Sequence, residues 1–183
     1  MNFKVTTNEF LGIKIIEPAL FKDERGYFFE TYKASAFKEF GIEYNFLQSN
    51  QSLSYQGVVR GLHFQNGKSA QAKLVRCLRG EIYDVAVDLR KSSPTFGKYF
   101  GINLSAQNNL MIYIPIGFAH GFSTISKEAE VFYNVSGSEY DPQMEGGIKF
   151  DDPSLAIDWK VKTPIVSKKD LVLPNFSDLK TFF

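Results

Sequence analysis

Short apolar runs separated by turn residues form the dominant pattern along this chain, and they predict a mainly β protein. Residues 73–78 and 82–89 flank Gly80-Glu81, a spacing typical of two strands joined by a hairpin turn. Further strands are predicted at residues 11–17, 99–104, 110–114, 121–125 and 130–136. Because these runs leave little room for crossover helices, we expect mostly antiparallel strands in a sandwich or barrel of the jelly-roll kind.

Helix and turn signals outside these strands are few. Residues 35–40 form the best helix candidate, with Ser35 as its N-cap and Gly41 as its terminator. Residues 23–26 predict a turn. The tail, from about residue 151 to residue 183, contains three prolines and predicts an irregular wrap over the β core. We therefore expect only a few short helices.

One predicted strand carries carboxylates on a face that is otherwise apolar. Within residues 82–89, the side chains of Asp84 and Asp88 share a face with those of Ile82 and Ala86. Burying a carboxylate without a partner is costly. Either this face is solvated, or the two carboxylates have partners in a polar cavity.

Composition and charge narrow the functional classes. The chain has 183 residues, 44% of them hydrophobic, and no internal repeat or linker, so residues 1–183 are expected to form one ordered domain. Its 21 basic and 20 acidic residues leave a net charge of +1, whereas nucleic-acid binders gather excess positive charge, so no nucleic-acid partner is expected. No apolar run has the length of a membrane span, and residues 1–10 lack the pattern of a signal peptide. With Cys77 as the single cysteine, we expect a cytoplasmic protein without a disulfide or a membrane partner.

The two histidines are the candidate chemical groups. His63 lies in a predicted strand with Arg60, on the opposite face if the strand is regular, although a bulge at Gly61 could bring the two together. His120 follows a predicted turn. Taken alone, His63 is better interpreted as a structural strand residue, whereas His120 could equally cap a backbone carbonyl. A transition-metal site needs three or four ligands, so two histidines favour a protein without metal, although two histidines and one carboxylate remain arithmetically sufficient.

Six blocks of sequence carry a resemblance to a known family. They are residues 23–30 (DERGYFFE), 48–52 (QSNQS), 60–65 (RGLHFQ), 93–97 (SPTFG), 115–122 (PIGFAHGF) and 167–170 (SKKD). In this order they resemble the dTDP-4-dehydrorhamnose 3,5-epimerases over nearly the whole chain. The resemblance implies a cupin jelly-roll fold, a homodimer, no metal or other cofactor, and a dTDP-sugar substrate. It further implies epimerisation of dTDP-4-dehydro-6-deoxy-D-glucose at carbons 3 and 5, on the route to dTDP-L-rhamnose.

The resemblance also implies four catalytic residues. His63 matches the base, and Asp170 matches the carboxylate that orients it. Lys73 matches the lysine that faces the ketone oxygen, and Tyr133 matches the acid on the opposite face of the sugar. Without the resemblance, we would interpret Asp170 as a helix or turn cap, Lys73 as a solvated strand residue and Tyr133 as a packed aromatic.

The remaining matches imply a substrate-binding set. Arg25 and Arg60 match pyrophosphate clamps, His120 a sugar contact, Tyr140 an aromatic that stacks on thymine, and Glu30, Gln48, Ser49, Asn50, Glu145 and Lys169 other substrate-contacting positions. We add the hypothesis that Asp84 orients His120. The spacing from Tyr133 to Tyr140 is one residue longer than is common in the family, and Trp159-Lys160 replaces its usual Trp-Pro. The register of Tyr140 and Glu145 is therefore open.

Three rival functions remain at this point. Relatives with the same fold epimerise one carbon only or isomerise a keto group, and the same base, acid and lysine serve all of these reactions. A cupin that binds a sugar nucleotide without catalysis is a second class, and a metal-dependent cupin oxygenase is a third.

Overall fold

The computed structural model describes residues 2–8, 10, 12–42, 45–180 and 183. Its elements are β1 (Phe3–Thr7), β2 (Lys14–Pro18), β3 (Phe21–Asp23), β4 (Gly26–Phe28), α1 (Ala34–Glu39), β5 (Phe46–Tyr55), β6 (Val58–Gln65), β7 (Ala72–Arg79), β8 (Glu81–Asp88), β9 (Tyr99–Ser105), β10 (Met111–Ile114), β11 (Phe118–Thr124), β12 (Glu128–Ser136), β13 (Glu145–Gly147) and β14 (Ile165–Val166). Short 3-10 turns occur at Gly67–Ser69, Asp170–Val172 and Phe176–Asp178. The strand predicted to begin at Leu11 begins at Lys14, and Leu11 itself lies outside the described residues.

Two sheets carry nearly all of these strands. One has the order β1-β2-β10-β7-β12-β5, and the other has the order β13-β6-β11-β8-β9 with β14 added parallel to β6. The other pairings are antiparallel, and β3 and β4 form a separate hairpin. The predicted antiparallel sandwich is confirmed, and among the described strands neither sheet closes into a barrel.

The main core lies between the two sheets. The first sheet contributes Val75, Ile112 and Val131, and the second contributes Ile82 and Phe122, all nearly inaccessible to solvent. A second cluster packs the other face of the second sheet against the C-terminal segment, through residues such as Leu155 and Trp159. Strand alternation produces both clusters, because successive side chains of β8 point to opposite faces.

The inner face of β8 contains the two carboxylates expected either in solvent or in a polar cavity. Both Asp84 and Asp88 are fully buried, and both have partners. Asp88 accepts hydrogen bonds from Arg90, Ser93 and Thr95. Burial by itself would raise the pKa of Asp88, but these donors outweigh it and lower the pKa to about 2. The partnered alternative is therefore the correct one.

The hairpin predicted at Gly80-Glu81 is wrong. β7 and β8 are consecutive strands, but they belong to different sheets, and the turn at Gly80 carries the chain across the sandwich. A side chain at Gly80 would not fit there, since its Cβ would lie 2.1 Å from the Glu128 carbonyl oxygen. The pattern of two strands around a glycine is the same for a hairpin and for such a crossing, so the sequence could not separate them.

The predicted helix exists, but it begins one residue earlier than expected. Lys33 occupies the N-cap position, so the prediction that Ser35 caps the helix is wrong, and Ser35 lies within the first turn. Its end is confirmed, because Gly41 has a φ of +72° and its N–H donates to the Lys38 carbonyl. This short helix cannot span a membrane, and no other described helix is long and apolar enough to do so.

The C-terminal segment is mostly irregular, as expected, and it is held by pairing with the second sheet and by hydrogen bonds within the segment itself. β14 pairs with the start of β6. The Asp152 carboxylate accepts hydrogen bonds from Ser154 and from the backbone N–H of Phe176. These contacts fix the position of the 3-10 turn that begins at Asp170.

The crossing at Gly80 predicts that alanine is more destabilising there than at Gly41, although the two glycines have similar backbone conformations. Gly80 and Gly41 have φ values of +74° and +72°, but no described atom lies within 4 Å of a Cβ built at Gly41. We expect Gly41→Ala to lower the free energy of unfolding by about 1 kcal/mol. Gly80→Ala should lower it by about 3 kcal/mol, because backbone atoms must also move. Equal losses in urea denaturation of the two variants would contradict this account of the crossing.

Candidate active site

A bulge in β6 brings two sequence-predicted residues to one cavity. In the pairing of β6 with β11, His63 lies opposite His120 and Arg60 lies opposite Phe122. Two residues of β6 between these pairs therefore face one residue of β11, which is the signature of a β-bulge. Arg60 and His63 consequently line the same cavity, as expected from the glycine at position 61.

Two adjoining cavities open between the sheets. The larger has a volume of about 470 Å³ and the smaller about 260 Å³. His63, Lys73 and Tyr133 line both of them, so these three side chains mark where the cavities meet. Because His63 comes from the second sheet and the other two from the first, a ligand at this junction would lie between the sheets.

The C-terminal segment supplies a carboxylate to His63. The Nε2 atom of His63 lies 2.7 Å from Oδ1 of Asp170, although 107 residues separate the two in sequence. Asp170 is buried, and its backbone N–H donates to the Ser167 hydroxyl. A carboxylate at this distance holds the imidazole proton on Nε2 and leaves the Nδ1 lone pair free to accept a proton. This geometry suits a base with a fixed tautomer.

The second histidine has a buried carboxylate partner as well. The Nε2 atom of His120 lies 2.9 Å from Oδ2 of Asp84, and both side chains are buried. Our hypothesis that Asp84 orients His120 is confirmed, and the alternative of a carbonyl cap is wrong. Burial lowers the pKa of His120, and the Asp84 carboxylate offsets part of that shift.

Lys73 and Tyr133 lie on neighbouring strands of the first sheet. The Lys73 ammonium is 5.8 Å from the centre of the Tyr133 ring. Desolvation lowers the pKa of Lys73 to about 8, although the carboxylates of Asp84 and Glu145 act in the opposite direction. Burial raises the pKa of Tyr133, against the lowering effects of the Arg60 charge and of a hydrogen bond from Asn50. At neutral pH the cavity thus contains an ammonium and a protonated phenol.

Tyr140, Glu145 and Lys169 meet at the rim of the smaller cavity. The Tyr140 hydroxyl donates to Oε2 of Glu145 at 2.8 Å, and the Lys169 ammonium lies 2.5 Å from the same oxygen. Burial would raise the pKa of Glu145, but these two partners outweigh it and leave the pKa below its usual value. About half of Tyr140 remains exposed, so its ring is free to stack on a planar ligand.

The family model described as dTDP-4-dehydrorhamnose 3,5-epimerase matches residues 7–178. The chain belongs to this epimerase family. A family member from Shigella flexneri, named dTDP-4-dehydrorhamnose 3,5-epimerase, is 48% identical, and the match covers 97% of this chain and 98% of that protein.

Solved structures of family members agree with the fold. The epimerase from Elizabethkingia anophelis NUHP1 superposes with a TM-score of 0.94 at 47% identity, covering 99% of this chain and 100% of that one. The epimerase from Legionella pneumophila Philadelphia 1, solved with dTDP-4-keto-L-rhamnose, superposes with a TM-score of 0.92 at 41% identity, covering 97% and 94%. The cupin-type fold implied by the sequence blocks is confirmed.

Three residues of the epimerase-family set lie away from both cavities of their own chain. Arg25 is in the turn of the β3–β4 hairpin, where it pairs with Asp23, and Glu30 accepts a hydrogen bond from Asn2. Ser49 lies on the outer face of β5, where its hydroxyl donates to Asn134. Strand alternation explains Ser49, since its neighbours Gln48 and Asn50 line the smaller cavity.

The cavities also contain side chains that the sequence reasoning missed. Ser52 and Ser167 line the larger cavity, and Gln65 and Gln71 line the smaller. Three of these residues lie inside the sequence blocks that match the family, namely Ser52, Gln65 and Ser167. Their place beside candidate site residues could therefore have indicated that they line the cavities. Within the described residues, no three His, Cys, Asp or Glu side chains come together as a metal site.

The buried charges predict how Lys73 titrates. We expect NMR of reductively ¹³C-methylated lysines to show one resonance that titrates near pH 8, assigned by its loss in Lys73→Arg. Because the Asp84 carboxylate raises the pKa of Lys73, Asp84→Asn should lower that midpoint further. Asp151→Asn, which removes only the surface partner of Lys149, is the matched control and should leave it unchanged. A Lys73 midpoint near the ordinary value of 10.5 would contradict the proposed desolvation.

Proposed function

We propose that this protein epimerises carbons 3 and 5 of dTDP-4-dehydro-6-deoxy-D-glucose and so forms dTDP-4-dehydro-L-rhamnose, the precursor of dTDP-L-rhamnose. The observation that carries the proposal is the His63–Asp170 pair, which faces Lys73 and Tyr133 across one cavity. Membership of the epimerase family and the ligand named for the Legionella pneumophila structure support the choice of substrate.

The ketone at carbon 4 makes the reaction accessible to a base. It acidifies the hydrogens on carbons 3 and 5, because the carbanion left by their removal is delocalised onto the ketone oxygen as an enolate. His63 takes the proton, and the Asp170 carboxylate stabilises the imidazolium that results. The Lys73 ammonium stabilises the negative charge that develops on the ketone oxygen.

Inversion then requires a proton from the opposite face of the sugar. Tyr133 supplies it from the other sheet, and the carbon gains a proton while the tyrosine becomes a phenolate. The nearby Arg60 charge stabilises that phenolate, consistent with its lowering effect on the pKa of Tyr133. His63 then releases its proton to solvent, and the Tyr133 phenolate takes up a proton from solvent. The same groups then act on the second carbon.

The rims of the cavities provide the groups that would bind the rest of the substrate. Arg60 offers a guanidinium for the pyrophosphate, and at present its side chain donates to Ser54 and to the Leu53 carbonyl. Tyr140 offers its ring to the thymine, next to Glu145 and Lys169. His120, held by Asp84, lines the larger cavity and offers a polar contact to the sugar.

The decisive experiment is turnover of dTDP-4-dehydro-6-deoxy-D-glucose in deuterium oxide, followed by proton NMR. We expect deuterium at both carbons 3 and 5, together with a product that a coupled 4-keto reductase consumes. Incorporation at one carbon only would contradict the double epimerisation. Absence of incorporation at either carbon would contradict catalysis and favour a binding protein, while stoichiometric iron or zinc in the purified protein would favour a metal-dependent cupin.

Removal of the base or of its partner should separate catalysis from binding. We expect His63→Ala to lower kcat by about 10²- to 10⁴-fold, because general-base catalysis contributes that much. Asp170→Asn should lower kcat less than His63→Ala does, with its effect on KM small. Asp178→Asn, an exposed acid in the same segment, is the matched control and should retain activity. Unchanged turnover in His63→Ala would contradict the assignment of the base.

We further propose that the protein acts as a homodimer in which the β3–β4 hairpin of each chain reaches the cavity of the other. The hairpin carries Arg25, and Phe21, Tyr27 and Phe28 on it are each more than half exposed. Arg25 matches a pyrophosphate clamp but lies away from the cavities of its own chain, so a second copy is the simplest source of that cation. Burial of the exposed aromatic rings would stabilise such a dimer.

Mixed dimers test this arrangement. Sedimentation should give twice the mass of one chain. We expect Arg25→Ala and His63→Ala to be weakly active separately, whereas a mixture refolded together should regain part of the activity. Complementation is expected because one site of a mixed dimer would contain neither defect. A monomer in solution would exclude the dimer, and an absence of complementation in a confirmed dimer would exclude the shared hairpin.

A further inference from the structure

A chain of polar groups connects the backbone of Tyr140 with the hydroxyl of Tyr133. The backbone N–H of Tyr140 donates to Oε1 of Gln48 at 2.9 Å, and Nε2 of Gln48 donates to Oδ1 of Asn50 at 3.0 Å. Asn50 and Tyr133 are directly opposite each other in the pairing of β5 with β12, so the Asn50 amide lies beside the Tyr133 side chain, and it lowers the pKa of the Tyr133 hydroxyl as a hydrogen-bond donor does. Gln48, Asn50 and both tyrosines line the smaller cavity.

The first group in this chain fixes the direction of every hydrogen bond that follows. A backbone N–H can only donate, so the Gln48 atom that faces Tyr140 must be its carbonyl oxygen. The amide nitrogen of Gln48 then faces Asn50 and donates to its carbonyl oxygen. The amide nitrogen of Asn50 is then the group left to face Tyr133. A Tyr133 oxygen that accepts from this nitrogen keeps its own hydrogen free to point elsewhere in the cavity.

We propose that Gln48 and Asn50 are positioning residues for the proton donor, and that they direct the Tyr133 hydroxyl hydrogen toward the sugar. This inference rests on the proposed function, in which Tyr133 protonates the enolate. It differs from the role that the family resemblance implies for Gln48 and Asn50, which is contact with the nucleotide. It also connects the loop that carries Tyr140 with the proton donor Tyr133, because the series of polar groups begins at the Tyr140 backbone.

The variant Gln48→Glu tests the direction of the chain with little change in shape. One oxygen of the new carboxylate still accepts from the Tyr140 N–H, but the other cannot donate to Asn50. The Asn50 amide must then turn so that its nitrogen donates to the carboxylate and its oxygen faces Tyr133. Tyr133 would donate its hydrogen to that oxygen and would no longer direct it at the sugar.

The readout is the fate of the enolate in deuterium oxide. His63 can return a solvent-derived deuteron to the face from which it took the proton, which gives labelled substrate without inversion. Inversion requires Tyr133. A misdirected Tyr133 should therefore raise the ratio between the deuterium found in recovered substrate and the amount of product formed. Because His63 determines the first quantity and Tyr133 the second, this ratio distinguishes a defect in the proton donor from a defect in the base.

We expect Gln48→Glu to lower kcat for inversion and to raise that ratio, each by about tenfold, with KM within about twofold of the original protein. Asn50→Ala should shift the ratio in the same direction, and Tyr133→Phe should set its upper limit. Gln107→Glu adds the same charge at an exposed turn and should leave the ratio unchanged. Circular dichroism verifies folding, and Asn50→Ala keeps the test valid if the first variant does not fold.

Other outcomes would overturn the inference. If both variants lower inversion and exchange by the same factor, or raise KM while leaving the ratio unchanged, Gln48 and Asn50 serve structure or nucleotide binding. If neither quantity changes, they do not act on Tyr133. These outcomes differ from a failure of the proposed function. If the protein is an epimerase, the unsubstituted protein must show inversion and exchange, whatever the variants do.

Discussion

A carboxylate can be buried in a β-sandwich only if it has a partner, and three of the buried acids, Asp84, Asp88 and Asp170, organise much of this protein. Asp88 holds the loop that follows β8 through Arg90. Asp84 holds His120 at the wall of the cavity, and Asp170 ties the C-terminal segment to His63 on β6. In each case the need to satisfy a charge in the interior fixes the place of another group, and two of those groups are the only histidines of the chain.

The layered architecture suits a reaction that inverts a carbon. His63 belongs to the second sheet, while Lys73 and Tyr133 belong to adjacent strands of the first. A base and an acid carried by opposing sheets can approach the two faces of a ligand held between them. The bulge in β6 is needed as well, because a regular strand would place Arg60 and His63 on opposite faces. Backbone irregularity thus occurs where it changes the composition of the cavity.

Much of this could be predicted from local pattern, and the failures have physical causes. Alternation in β8 indicated that Asp84 and Asp88 needed either solvent or partners, and Gly61 indicated a possible bulge, since both signals lie within a few residues. The pairing of Asp170 with His63 spans 107 residues, so only resemblance to a family could suggest it. The crossing at Gly80 depends on which sheet receives β8, and the place of Arg25 depends on long-range packing. Neither is encoded in the few residues around it. Orientation of the amides of Gln48 and Asn50 likewise requires three-dimensional contacts.

The environment of Asp88 has a consequence for proton linkage in acid. Its pKa of about 2 lies below the value of 3.8 for an unperturbed aspartate, so the folded state binds this proton less tightly than the unfolded chain does. The stabilisation that results is complete above the unfolded pKa and is lost progressively as pH falls from that value through the folded pKa. The junction between β8 and β9 is therefore held by a charge at ordinary pH and loses that support between pH 3.8 and about pH 2, so acid acts on the interior of the sandwich through this carboxylate.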